Sequence, residues 1–183
     1  MAMSESAPSP GSNRTFLVVV DETEEMRVAL RYASRRAKAT GGRVALLYVV
    51  DPSEFEHFMG VREIMREEKR QEAEQTLQKL ADIVVEESGQ IPVVYLKEGN
   101  RRDELLKILN EEPAISILVL GAGTGPEGPG PLISHLIGKA TGKIRVPITI
   151  VPGNLTPEQL DAVTLVSFHP PIASTCRSRP PTR

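Results

Sequence analysis

The sequence has one cysteine, no tryptophan, 4% aromatic residues and no apolar run longer than the seven residues Val44–Val50. Each shortage excludes something. Cys176 has no partner within the chain, so neither an intrachain disulfide framework nor a thiolate zinc site can form. A membrane-spanning helix needs roughly 18–20 apolar residues, far more than Val44–Val50 supplies. Met1–Asn13 lacks the apolar core of a signal peptide, and a cytoplasmic location is therefore expected. An excess of one charge is also missing, since 22 Lys and Arg face 24 Asp and Glu. No basic block stands beside aromatics, which argues against a nucleic-acid partner. His57, His135 and His169 are too dispersed for a local metal motif. No metal is expected.

What remains is the composition of a globular chain: 183 residues, 40% hydrophobic and 25% charged. One folded domain is expected over 14–153, followed by an amphipathic extension over 154–166. Residues 1–13 hold four Ser, two Pro and one Gly, and residues 167–183 hold four Pro, three Ser and three Arg without an acid. Both ends read as disordered tails. The C-terminal one is expected to be dispensable, with Arg177, Arg179 and Cys176 offering a rival role in docking or oxidation.

Between the tails, apolar runs alternate with helical patterns. Thr15–Val20 reads as a strand, and Thr23–Thr40 as a helix with Met26, Ala29, Leu30, Ala33 and Ala37 on one stripe. Arg43–Val50 is the next strand, Pro52–Gly60 a loop. Val61–Ser88 is a long helix with Ile64, Met65, Leu77, Leu80, Ala81 and Val84 inward, stopped by Gly89. It lies in a stretch, Glu54–Glu87, with ten acids against five bases, simplest as an exposed face. Then follow strand Ile91–Leu96, helix Arg102–Asn110, strand Ile115–Leu120, helix Leu132–Ile144 and strand Val146–Val151. Five apolar strands separated by helices predict an α/β fold, a parallel sheet covered on both faces. A last piece, Thr156–Val163, places Leu160 and Val163 on one side and should pack on the body.

The segment Gly121–Pro131 carries five glycines and three prolines. Glycine lets successive backbone N–H groups converge on an anion, whereas Pro126, Pro129 and Pro131 donate nothing. A phosphate cradle over 121–125 and a plain surface loop are the two readings, with the proline half an extended flap. Gly123, Gly125 and Gly128 have the dinucleotide spacing, but they begin three residues after the expected strand, a proline stands where the helix should open and no acid follows about 20 residues on. Gly138-Lys139 and Gly142-Lys143 lack the upstream glycine of a phosphate-binding loop, because Ile133 and Ile137 stand there. Asp21, at the end of the first strand, reads either as a ligand group at the carboxyl edge of the sheet or as an acid at a helix N-terminus. Lys139 and Lys143, four apart, read as a solvated face that could also raise anion affinity.

Several motifs occur together in order: Val20–Thr23 closing the first strand, Val44–Asp51, Glu98-Gly99, Leu118–Gly121 and Val146–Val151. In this combination the chain resembles the universal stress proteins of the UspA type over Thr15–Gly153. The resemblance implies a five-stranded parallel sheet of order 3-2-1-4-5 and a homodimer through the last strand. ATP-binding members carry G-x-x-G, nine residues, then Gly and Ser or Thr. In register with the strand end, the corresponding residues here are Gly121, Thr124, Ser134 and His135, and only the first agrees. The residues that would surround a nucleotide are then Val19, Asp21, Val44, Gly121, Ala122, Gly123, Thr124, Ser134 and His135. No nucleophile stands paired with a base, so no catalytic residue is expected. The resemblance implies a stress-response protein acting as a homodimeric binding module, and the departures at Thr124 and Ser134 lead to an expectation of weak or no ATP binding. The alternative it implies is an ATP-binding switch or weak ATPase.

Overall fold

The computed structural model describes residues 14–55 and 60–164. The expectations for 1–13 and for the tail beyond 164, including His169, Cys176 and the C-terminal arginines, lie outside the described residues, as does His57. Five strands, β1 (Thr15–Val19), β2 (Arg43–Val50), β3 (Val93–Glu98), β4 (Ile115–Ala122) and β5 (Ile148–Pro152), form one parallel sheet of order β3-β2-β1-β4-β5. The expected fold class and strand order are those observed. The α-helices are α1 (Glu24–Thr40), α2 (Arg62–Ser88), α3 (Arg101–Glu111), α4 (Pro131–His135) and α5 (Pro157–Thr164).

Side chains alternate across the sheet, which explains why the strands read as continuous apolar runs. Phe16, Val18 and Val20 pack with α1, α2 and α5, while Leu17 and Val19 face α3 and α4. Both layers are well buried: Leu17, Leu46, Leu47 and Leu118 have no exposed surface. Helix α1 starts where Thr23 Oγ1 accepts the Met26 N–H at 3.2 Å, and ends at Gly41 with φ 66°. A hydroxyl cap of this kind stabilises by about 1 kcal/mol.

The structure departs from expectation at several points, each with a local cause. β3 begins two residues late because Pro92 has no N–H for the ladder, and Ile91 is left 80% exposed. β5 likewise begins after Pro147. Ile64 is 61% exposed, not inward, and burial on α2 starts only at Ala73. A 27-residue helix is about 40 Å long, whereas strands of six to eight residues span roughly 20–27 Å, so the first turns of α2 run past the sheet. The expected helix Leu132–Ile144 is broken into α4, a π turn at Leu136–Ala140 and a 3-10 turn at Thr141–Lys143. Gly138 and Gly142 weaken helix there, and Thr141 Oγ1 donates to the Leu136 and Ile137 carbonyls at 3.1 and 2.7 Å. The Pro52–Gly60 loop contains a 3-10 turn at Pro52–Phe55.

Helix α5 packs on α1, as expected of an amphipathic extension. Leu160 is 1% exposed, but its companion is Thr164 rather than Val163, which is 54% exposed. Arg35 fastens the arrangement by donating to Glu87 on α2 and to Asp161 and the Pro157 carbonyl on α5.

Candidate functional site

In an open parallel sheet, ligands sit beyond the carboxyl ends of the strands where strand order reverses, here between β1 and β4. The residues there come from one repeated device. β1 runs out at Asp21, whose Oδ1 accepts from Thr23 N at 3.0 Å and Thr23 Oγ1 at 2.6 Å. β2 runs out at Asp51, whose Oδ1 accepts from Ser53 N at 2.9 Å and Ser53 Oγ at 2.6 Å. Each carboxylate turns the chain, and both residues line the crevice. The Ser53 hydroxyl and N–H hold the Asp51 carboxyl below its ordinary pKa.

Three adjoining clefts occupy this edge. The first, 280 Å³, is lined by Asp21, Glu22, Tyr48, Asp51, Glu54, Lys69 and Arg101 over a floor of Val49 and Val50. Burial, then the charge of Glu22, pushes the Tyr48 phenol above its ordinary pKa. Lys69 is engaged by Glu72 at 2.9 Å, which raises its pKa. The second cleft, 460 Å³, shares Asp51, Glu54 and Arg101 and adds Asn100, Arg102, Pro131 and Leu132. The third, 720 Å³, is the glycine loop itself: Gly123, Thr124, Gly125, Glu127, Gly128, Gly130 and Ser134, with Glu25 from α1.

The residues expected around a nucleotide are thus divided. Gly123, Thr124 and Ser134 meet in the loop cleft, where the Ser134 hydroxyl donates to the Gly130 carbonyl at 2.9 Å. Asp21 lies in the neighbouring cleft of Tyr48. Val44 is not brought to them: it pairs with Phe16 at the amino end of β2 and is buried in the core. Val19 and Ala122 are buried against α3 and α4, and half-buried His135 lines none of the three clefts. Lys139 and Lys143 are exposed and line none either. Glu25, Tyr48, Asp51, Glu54, Lys69 and Arg101 are the residues that sequence reasoning missed. The pattern Asp-x-Ser at 51–53, repeating Asp-x-Thr at 21–23, was the available signal for the first strand-end pair.

Gly121 has a role other than the expected one. It is a strand residue, paired with Val151, and the loop begins only at Gly123. A Cβ at Gly121 would stand 2.3 Å from the Glu25 carbonyl oxygen and 2.7 Å from Met26 N. The Cβ side of this glycine is filled by the first turn of α1. The dinucleotide spacing therefore starts directly after β4, but Gly128 N–H donates to the Gly125 carbonyl and closes a turn where a helix would open. That turn replaces the expected extended flap. Among the described residues no group of three or more His, Cys, Asp or Glu side chains could hold a metal ion. No described helix is long and apolar enough to cross a membrane.

Comparison with known proteins agrees with this architecture. A solved universal stress protein UspA from Lactobacillus plantarum superposes with a TM-score of 0.63 at 18% identity, covering 76% of this chain and 97% of that one. A member from Burkholderia pseudomallei gives 0.60 at 21% identity, covering 79% and 99%. One from Archaeoglobus fulgidus gives 0.54 at 19%, covering 75% and 93%. Among curated proteins, no sequence relative matches the chain. The profile of the universal stress protein family matches residues 12–152, and with the sheet order and the reversal-point crevice in place the chain belongs to that family.

Proposed function

We propose that this universal stress protein is a cytoplasmic stress-response protein that works as a homodimeric binding and interaction module, without enzymatic turnover and with weak or no ATP binding. The observation that carries this reading is the chemistry of the glycine-loop cleft. Its charged lining is Glu25 and Glu127, with no lysine or arginine, and Gly121 is packed against α1. A polyphosphate needs convergent donors and positive charge, and this cleft offers two carboxylates. The residues present do not fit the phosphates of ATP.

The dimer reading is supported by β5, an edge strand without a charged residue, with Ile150 40% exposed. An open edge of this kind calls for cover or charge. The chain's own candidate cover, α5, is engaged on α1 instead. The competing reading, an ATP-binding switch or weak ATPase, draws on Asp21 beside Lys69 and Arg101 in the neighbouring cleft.

Calorimetric titration with Mg-ATP decides between the two. No saturable heat, or a Kd weaker than about 10 μM, is expected. A Kd below about 10 μM, or roughly 7 kcal/mol of binding, would overturn the reading.

A further inference from the structure

Glu25 is surrounded by three glycines from the ends of β4 and β5. A Cβ at Gly121 would strike the Glu25 backbone at 2.3 Å, one at Gly153 would meet Glu25 Cβ at 2.6 Å, and one at Gly123 would lie 3.4 Å from Glu25 Oε1. Side chains at Gly121 and Gly153 would hold α1 away from the sheet, while one at Gly123 would press on the Gly128 carbonyl at 2.9 Å. Their absence lets the first turn of α1 settle onto the strand ends and brings a half-buried carboxylate to the mouth of the glycine loop. None of the ion pairs among the described residues includes Glu25 or Glu127.

We infer that Glu25 is a specificity-determining residue whose carboxylate, standing at the mouth of the glycine loop, excludes polyphosphate ligands. The inference rests on the weak-ATP reading and names its cause. Glu25 competes with a phosphate in two ways. It occupies the approach to Gly123, and its charge repels any further anion there, a repulsion that the low dielectric of a half-buried site strengthens. Glu127, exposed on the rim, adds to the repulsion but is screened by solvent. Gly121 and Gly153 are thereby explained by packing of α1, whereas Gly128 and Gly130 serve positive φ in the loop. The loop in its native charge state suits neutral or cationic groups over phosphates.

The test is calorimetry of wild type, Glu25→Gln and Glu127→Gln with inorganic tripolyphosphate and with Mg-ATP, at about 0.05 and 1 M salt. Glutamine keeps the shape of the side chain and removes only the charge. Glu25→Gln is expected to tighten tripolyphosphate binding at least about tenfold at low salt, with the gain shrinking at high salt, and Glu127→Gln to gain less. Unchanged affinity in Glu25→Gln, a gain indifferent to salt, or a larger gain in Glu127→Gln would overturn the inference. Tight Mg-ATP binding by wild type would overturn the weak-ATP reading instead, and whether Glu25→Gln then binds still more tightly judges Glu25 separately.

Discussion

Gly121 and Gly125 sit four residues apart in one glycine-rich segment and do different work. At Gly121 an added Cβ meets backbone, which cannot rotate aside, whereas at Gly125 it meets nothing within 4 Å and φ is not positive. Gly121→Ala should therefore destabilise by about 1–3 kcal/mol or more. Gly125→Ala should be neutral or stabilise by up to about 1 kcal/mol. Urea unfolding of the two variants checks both, and equal effects would contradict the packing role of Gly121. Tyr48 gives a second test at this scale. Its pKa is raised above the ordinary 10.0, chiefly by burial. The unfolded chain loses this proton first as pH rises, so stability should fall through pH 10 and upward. Tyr48→Phe should flatten that fall in denaturation curves measured between pH 8 and 11. The candidate site was only partly legible among the residues. Asp21 and the loop hydroxyls were visible from strand-end position and glycine content, but Glu25 reaches the loop only because α1 packs beside β4. Nothing local in the sequence reports that approach. Val44 was misplaced because a motif fixes order along the chain, not the end of the sheet at which a residue stands.

Elements were more legible than the site because periodicity and punctuation repeat over many residues. α1 was marked by Thr23, its apolar stripe and Gly41, and β2 by an unbroken apolar run. Where the expectation failed, one residue or one length was responsible: Pro92 and Pro147 delayed strands, two glycines and Thr141 broke the helix after the loop, and α2 outran its sheet. α5 lies beyond the residues that match the family and is held by Leu160 and the Arg35 contacts. Leu160→Ala should destabilise by about 2–5 kcal/mol. Val163→Ala, on the exposed side, should stay within about 0.5 kcal/mol. Thermal or urea denaturation of the pair measures whether α5 belongs to the cooperative fold, and a silent Leu160→Ala would show that it does not.

At the scale of the molecule, two helical layers bury both faces of a five-stranded sheet whose edge strands, β3 and β5, have no second strand partner among the described residues. Removal of residues 167–183 should change neither melting temperature nor dimerisation, and a drop of more than about 4 °C, equivalent to roughly 1 kcal/mol for this size, would contradict the tail's assignment as dispensable. The proposed function couples an acidic glycine-loop cleft, expected to refuse ATP, to a β5 edge expected to pair with a second copy. Native mass spectrometry of the freshly purified protein reads both properties at once. A species at twice the 20.0 kDa chain mass with no nucleotide retained is expected. A monomer at tens of micromolar, or a dimer carrying a stoichiometric nucleotide adduct, would contradict it.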